Sequence, residues 1–184
     1  MMKLVINSIH NDIVGNFHVG QTLALCAVAN IGGVEFGEAL TADVQKLVKP
    51  PNKDAPSYIS AAGVEYTQYW SHQVHTTKKA ILCLLRLFRV SPENLVIDEW
   101  PERMVRLLES DDFGIITSAM SLVTAFASYD PHLFQTCVPA VLNILERVAL
   151  RRQVTDGYKY YKVAAPWIQV CSYAVAISIR LFGR

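Results

Sequence analysis

The feature of this sequence that most restricts the fold is a helical spacing of apolar residues that recurs along the chain. Stretches 36–48, 81–88 and 138–149 each carry apolar residues at steps of three and four. Such steps place the side chains on one face of an α-helix. No alternating strand pattern of useful length is present. The spacing therefore predicts an all-α fold.

Residues 113–129 differ from these stripes because they are apolar on more than one face. One row contains Ile115, Ala119, Leu122 and Phe126, and a second contains Phe113, Ile116, Met120 and Val123. A helix that is apolar on several sides packs on several sides, which predicts an inner helix between two neighbours. The alternative is a membrane-spanning helix, here and at 163–179, since both stretches lack charge. Their polar residues favour the packed helix.

Pairs of residues that contain proline mark a repeat of roughly forty residues. Ser-Pro at 91–92 and Asp-Pro at 130–131 are 39 residues apart, and Trp-Pro at 100–101 and Val-Pro at 138–139 are 38 apart. Each of the first two pairs predicts a helix start, because a capping side chain precedes a proline at the first helical position. Two marks that recur together predict two-helix repeats, as in an α-solenoid of the HEAT or armadillo type.

The same spacing reveals a surplus in the first half of the chain. The Leu-Cys pairs at 25–26 and 82–83 are 57 residues apart, which is 18 more than the repeat of 39. The stretch 50–77 contains Pro50, Pro51 and Pro56 and has no steady period. We interpret it as an inserted loop.

Composition and charge exclude several classes of function. Apolar residues make up 52% of the chain and charged residues 18%, so material for a large core is available. The net charge of +1 gives no basic excess for neutralising phosphates, which disfavours a nucleic-acid-binding function. The four cysteines are far apart in apolar stretches, so we expect buried thiols rather than disulfides. They are Cys26, Cys83, Cys137 and Cys171.

Residues that could carry catalysis or bind a metal are few. His72 and His75 lack further ligands at workable spacing, so we interpret them as solvated loop histidines. Glu109, Asp111 and Asp112 are better explained as charge at a helix start than as an acid–base pair. None of the common nucleophile, zinc or phosphate-loop motifs is present. The sequence therefore predicts neither an enzyme nor a cofactor.

Two groups of residues are candidates for contacts with partners. Lys78, Lys79, Arg86 and Arg89 are either the solvated face of a helix or a contact for an acidic partner or an anionic lipid surface. The second group surrounds a turn and either anchors an interface or seals the seam between two repeats. It consists of Tyr158, Tyr160, Tyr161 and Trp167.

Three stretches resemble alpha-adaptin, the large chain of the plasma-membrane clathrin adaptor. They are 25–48 (LCAVANIGGVEFGEALTADVQKLV), 78–127, which contains KKAILCLLRLFR, DEWPERMVRLL and LVTAFA, and 138–170, which contains ILERVA and YKYYKVAAPWIQV. The string LVINSIHND at 4–12 fits the same family. CLLRLFR and the tyrosine-rich turn favour alpha over the gamma-type and beta-type large chains.

The resemblance implies part of an N-terminal α-solenoid trunk that acts as a non-catalytic scaffold in clathrin-mediated endocytosis. It implies assembly with small, medium and beta-type large adaptor chains, and an indirect link to clathrin and cargo. The expected location is the cytoplasmic face of the plasma membrane, in coated pits, as a peripheral protein. The alternative is an unrelated cytosolic helical-repeat module that mediates protein interactions.

The sequence departs from the alpha-adaptin pattern at two places. The family has a short linker where residues 50–77 stand, which agrees with the surplus in the repeat spacing. After Val170 the family continues into a further basic repeat helix, whereas residues 171–184 diverge. We therefore expect a partial trunk over residues 1–184, with an inserted loop and a divergent C-terminal end.

Overall fold

The computed structural model describes residues 1–50, 58–59, 65–66 and 68–182. Within these residues the chain forms eight α-helices: α1 Met2–Val14, α2 His18–Ile31, α3 Val34–Leu47, α4 Gln68–Val90, α5 Trp100–Leu108, α6 Phe113–Tyr129, α7 Val138–Leu145 and α8 Pro166–Phe182. Two-residue strands pair as β1 Tyr58–Ile59 with β2 Glu65–Tyr66, and as β3 Lys159–Tyr160 with β4 Val163–Ala164. The helices divide into two compact units, Met1–Leu95 and Val96–Arg184.

The first unit consists of two helical pairs in two layers. Helix α1 packs on α2, and α3 packs on α4; between the pairs, α1 contacts α3 and α2 contacts α4. The apolar stripe of α3 explains its place, since Phe36, Leu40 and Val44 are all buried. The two glycines at 32–33 separate α2 from α3, and a Cβ at Gly32 would clash with the Val28 carbonyl oxygen.

The second unit repeats this arrangement. Helix α5 packs on α6 and α7 on α8, while α5 contacts α7 and α6 contacts α8. Phe126 of α6 lies at the centre, with ring centroids 5.6 Å from Trp100 and 5.3 Å from Phe134. Two units built from the same stacked pairs confirm the predicted all-α fold of helical repeats.

Helix α6 is buried on several sides, which confirms the prediction of an inner helix. Its hydroxyl groups donate hydrogen bonds to the carbonyl oxygens four residues earlier, at distances from 2.6 to 3.1 Å. These are the side chains of Thr117, Ser118, Ser121, Thr124 and Ser128. The helix therefore satisfies its own polar groups and shows mainly carbon to its neighbours. No helix among the described residues is long and apolar enough to cross a membrane.

The proline pairs at 100–101 and 138–139 mark helix starts, since α5 begins at Trp100 and α7 at Val138. The helix starts predicted at 91–92 and 130–131 are wrong. Pro92–Asn94 is a single 3₁₀ turn that Ser91 does not cap, and the Asp130 carboxylate accepts hydrogen bonds from the N–H groups of a turn at 132–133. Both pairs therefore lie in the turns before a helix, 91–92 before α5 and 130–131 before α7. Their common place in the two repeats explains why their spacing is preserved.

The insertion predicted at 50–77 lies partly outside the described residues. Its described end is helical, because α4 begins at Gln68. Val74, Thr76 and Thr77 are buried, and the Thr77 hydroxyl donates to the Lys49 carbonyl oxygen at 3.1 Å. Packing against the end of α3 thus extends the helix beyond its regular apolar stripe.

All four cysteines are free thiols. Cys83 and Cys137 are buried, as predicted, whereas Cys26 and Cys171 are half-buried. Burial, with a smaller contribution from Cys26, raises the pKa of the Cys83 thiol to about 12. Burial likewise raises the pKa of Cys137 to about 11. Both buried thiols are therefore neutral and inert at ordinary pH.

Candidate functional site

Helix α4 carries a continuous basic face. His72, His75, Arg86 and Arg89 are exposed and Lys79 is half-buried. Their positions advance by steps of three, four or seven, so they lie on one side of the helix with Leu82 between them. The opposite side is apolar and packs on α2 and α3. We call this set, His72, His75, Lys79, Arg86 and Arg89, the basic face.

The basic face has no internal acidic partner. Residues 68–90 contain no Asp or Glu. Among the described residues, no carboxylate lies within ion-pair distance of Lys79, Arg86 or Arg89. Lys78, also predicted as a contact, is half-buried and lies one position to the side of this row. The structure therefore places the four predicted cations on one side of α4, with Lys78 at its edge.

Sequence reasoning missed the two histidines of the basic face. It placed His72 and His75 in a loop, whereas both lie in α4. The His72 ring stacks on that of His18 from α2, with centroids 5.6 Å apart and planes 4° apart. The spacing of 72, 75, 79, 86 and 89 contained the signal, but the apolar stripe begins only after it. No group of three potential metal ligands occurs within the described residues.

The aromatic cluster surrounds the hairpin of β3 and β4. Lys159 pairs with Ala164 and Tyr160 with Val163, which leaves Tyr161 and Lys162 as a two-residue turn. Both turn residues have positive φ, 46° and 67°, as a type I′ turn requires. Side chains other than glycine and asparagine adopt these angles at a cost, so this is a strained turn.

The structure divides the four aromatic candidates by their burial. Tyr158 is half-buried, with ring centroids 5.4 Å from Phe113 and 6.1 Å from Trp167. Burial, aided by the negative charge of Asp112, raises the pKa of its hydroxyl. Tyr160 and Tyr161 are 60% and 85% exposed and contact each other edge to face at 4.7 Å. Tyr158 thus packs against α6, whereas Tyr160 and Tyr161 form an exposed aromatic tip.

Trp167, at the start of α8, is 37% exposed, which is less than the exposure of Tyr160 or Tyr161. The two candidate groups belong to different units of the structure, the basic face to the first and the aromatic tip to the second.

Of the three carboxylates at 109–112, Asp112 lies at a helix start as predicted, whereas Glu109 lies at the C-terminal end of α5. The Asp112 side chain caps α6 by accepting a hydrogen bond from the Ile115 N–H at 2.8 Å. The Ser110 hydroxyl accepts from the Asp112 N–H at 3.2 Å. Satisfying the free N–H groups of a helix start is a sufficient reason for an acidic residue at this position.

Comparison with known proteins finds similarity to adaptor-complex subunits. The chain is 41% identical over 169 residues to AP-2 complex subunit alpha-1 of Arabidopsis thaliana, covering 92% of this chain. It is 33% identical over 170 residues to AP-2 complex subunit alpha-2 of Dictyostelium discoideum, also covering 92% of this chain. The predicted resemblance to alpha-adaptin is confirmed. Homology to this one segment of an alpha subunit extends over nearly the whole chain.

The similarity is lower outside the alpha subunits. AP-1 complex subunit gamma-like 2 of Homo sapiens is 27% identical over 188 residues, covering 98% of this chain and 20% of that protein. The chain spans about 15% of the length of the alpha subunits from Arabidopsis thaliana and Dictyostelium discoideum. No family model matches the sequence.

Proposed function

We propose that this chain is a non-catalytic scaffold segment of a clathrin-adaptor large subunit, which acts in clathrin-mediated endocytosis and vesicle-mediated protein transport. The observation that carries the proposal is 41% identity to an AP-2 alpha subunit over 92% of the chain. The stacked helical pairs supply extended surfaces for other chains, as repeat proteins do. Function then comes from surface burial, without a cofactor.

The proposed partners are the small, medium and beta-type large chains of an adaptor complex. Through that complex the segment would contact clathrin and cargo indirectly, as a peripheral protein of coated pits on the cytoplasmic face of the plasma membrane. The near-neutral charge supports protein partners over nucleic acid. We also propose that an insertion within 50–77 and a divergent end at 171–184 distinguish this segment from the family.

The basic face of α4 is the proposed contact for an acidic surface of one partner chain. It presents cations without a nearby carboxylate in the described residues, so a partner carboxylate would gain charge-assisted hydrogen bonds there. Lys78 extends this contact at its edge. Tyr160 and Tyr161 form a second proposed contact, because exposed tyrosines bury large areas at low entropic cost. Tyr158 and Trp167 would hold that hairpin against the helices.

The proposal is tested by affinity purification of the tagged chain from its own cells, followed by mass spectrometry. We expect small, medium and beta-type adaptor chains among the recovered proteins. In a triple variant with Lys79, Arg86 and Arg89 changed to Glu, we expect at least one adaptor chain to fall about tenfold, because charge reversal converts attraction into repulsion.

A matched control carries the same change in net charge at exposed cations elsewhere, with Lys3, Arg152 and Arg180 changed to Glu. It should retain all the adaptor chains. Equal loss in both variants would assign binding to net charge alone. Recovery of no adaptor chain by the unaltered protein would contradict the scaffold role and favour an unrelated helical-repeat module.

A further inference from the structure

A cavity of about 320 Å³ lies between α5 and α7 in the second unit, separate from both surfaces described above. Leu108 and Glu109 line it from the α5 side, and Asn143, Ile144 and Arg147 line it from the α7 side. The volume is at the lower end of the range typical of ligand-binding pockets. The lining combines apolar side chains with a few polar groups, which is the usual composition of such a site.

Arg147 lacks the acceptors that its side chain requires. Its guanidinium carbon lies 5.0 Å from the centroid of the Phe113 ring, a distance at which cation and ring attract. Its Nε and Nη2 atoms are buried, and neither has a hydrogen-bond partner among the described residues. Guanidinium groups are only donors, so buried N–H groups without an acceptor are costly.

The neighbouring carboxylate does not fill this gap. Glu146 accepts two hydrogen bonds from Arg151, at 2.8 Å from Nη2 and 3.2 Å from Nε. Glu146 is the first residue of the π-helical turn Glu146–Leu150, and Arg151 directly follows that turn. Arg147, in the same turn, points into the interior against Phe113, and its charge has no such partner. Of the two arginines, one is therefore paired and one is available for a ligand.

We propose that the cavity between α5 and α7 binds a carboxylate group, with Arg147 as its principal donor. Small rotations about the long side-chain torsions bring the guanidinium to the cavity that it already lines, without a change in the backbone. The planar fork then matches the two carboxylate oxygens. The Asn143 amide supplies a further donor, and Leu108 and Ile144 cover the aliphatic part of the ligand.

The charges at the cavity favour a carboxylate over a phosphate. Glu109 is exposed at the rim of the cavity, where its negative charge repels an entering anion. A singly charged carboxylate experiences about half the repulsion from Glu109 and half the attraction to Arg147 of a doubly charged phosphate. Its desolvation cost, which rises with the square of the charge, is only about one quarter, so the sum favours the carboxylate. The carboxylate can come from a free small acid or from an acidic side chain of a polypeptide, and the chemistry at Arg147 is the same.

The test is a titration of the whole chain with acetate at constant pH and ionic strength. Binding is monitored through the Nε–Hε signals of the arginines in a nitrogen–proton NMR spectrum. The Arg147 signal is assigned by its loss in Arg147→Lys. We expect this signal to shift saturably, whereas the Arg151 signal does not. Inorganic phosphate at neutral pH should bind several-fold more weakly. A linear shift, equal on both arginines, or tighter binding of phosphate overturns the proposal.

Two variants separate the site from a general effect of charge. Arg147→Lys keeps the charge but loses the planar fork, so acetate affinity should fall about tenfold, as measured on the backbone amide of Asn143. Glu109→Gln removes the repulsion at an exposed position and should tighten binding roughly two- to fivefold. Unchanged affinity in both variants contradicts the assignment.

A second ligand identifies the source of the carboxylate. N-acetylglutamate amide presents the acidic side chain of a polypeptide, together with the stem that Leu108 and Ile144 would cover. Binding several-fold tighter than acetate assigns the cavity to a polypeptide side chain, whereas equal affinity assigns it to a free small acid. Binding of neither ligand overturns the site without affecting the proposed scaffold role.

Discussion

Helices α4 and α6 are each the second helix of a pair, and each packs on the second helix of the neighbouring pair in its own unit, α4 on α2 and α6 on α8. Their surfaces are nevertheless different. Helix α4 has one buried apolar side and one basic side, whereas α6 is buried on several sides and contains no charged residue. Of the two helices, only α4 offers a charged, solvent-exposed side for partners. The spacing of apolar residues in the sequence is enough to distinguish a helix buried on one side from a helix buried on several sides.

The sharpest way to break this comparison is the same mutation in both helices. Leu122→Ala in α6 removes a side chain that is 0% exposed, and we expect it to lower the free energy of unfolding by about 2–5 kcal/mol through cavity formation. Leu82→Ala in α4 removes one that is 41% exposed, and we expect a change within about 0.5 kcal/mol. Urea denaturation of both variants measures the difference, and equal losses would contradict it.

The exclusion of water from the buried apolar side of α4 can be tested through Cys83. Burial raises its thiol pKa to about 12, whereas an unfolded thiol titrates near 8.5. The folded state therefore holds the proton more tightly, and stability is fully present below about pH 8.5. Above that pH it should fall by about 1.4 kcal/mol per pH unit until the folded pKa is reached.

Cys83→Ala isolates this contribution from the other groups that titrate in the same range. The difference in unfolding free energy between the variant and the unaltered chain, measured from pH 7.5 to pH 10, should change with the predicted slope. The comparison variant Cys171→Ala should show a smaller slope, because burial also raises the pKa of this thiol but Cys171 is only half-buried. If the difference in unfolding free energy for Cys83→Ala does not change with pH, water reaches the buried apolar side of α4.

The smallest effect concerns the start of α6. Asp112→Ala removes the side chain that accepts from the Ile115 N–H, and we expect a loss of about 1 kcal/mol. Asp112→Asn keeps an acceptor oxygen and should recover most of that loss. Thermal unfolding of the two variants measures the effect, and equal destabilisation would show that charge, rather than capping geometry, matters at this position.

The apolar stripes predicted most of the fold because burial on one side of a helix leaves a direct record in the sequence. The repeat spacing survived the wrong helix starts at 91–92 and 130–131, since a proline after Ser or Asp favours any tight turn as well as a helix. The helical start of α4 was missed because it depends on tertiary contacts: Thr77 donates to the carbonyl oxygen of Lys49, which is distant in sequence.

The candidate surfaces were predicted less completely. The cations of α4 were predicted to lie on one helix, but the addition of His72 and His75 to their face required α4 to begin before its apolar stripe. The division of the tyrosines required the hairpin, because nothing in YKYY separates the packed Tyr158 from the exposed Tyr161. The cavity at Arg147 depends on the π-helical turn after α7, for which the sequence carries no local signal.

The hydroxyl groups of α6 have a consequence for the evolution of this protein. Because each bonds to its own helix, exchange among Ser, Thr and Ala alters little of what neighbouring helices contact. Such positions are free to drift between relatives, even in the interior, while the adjacent large side chains are not. Ser121 and Thr124 would therefore vary between species as surface residues do, and variability at these positions would wrongly suggest solvent exposure.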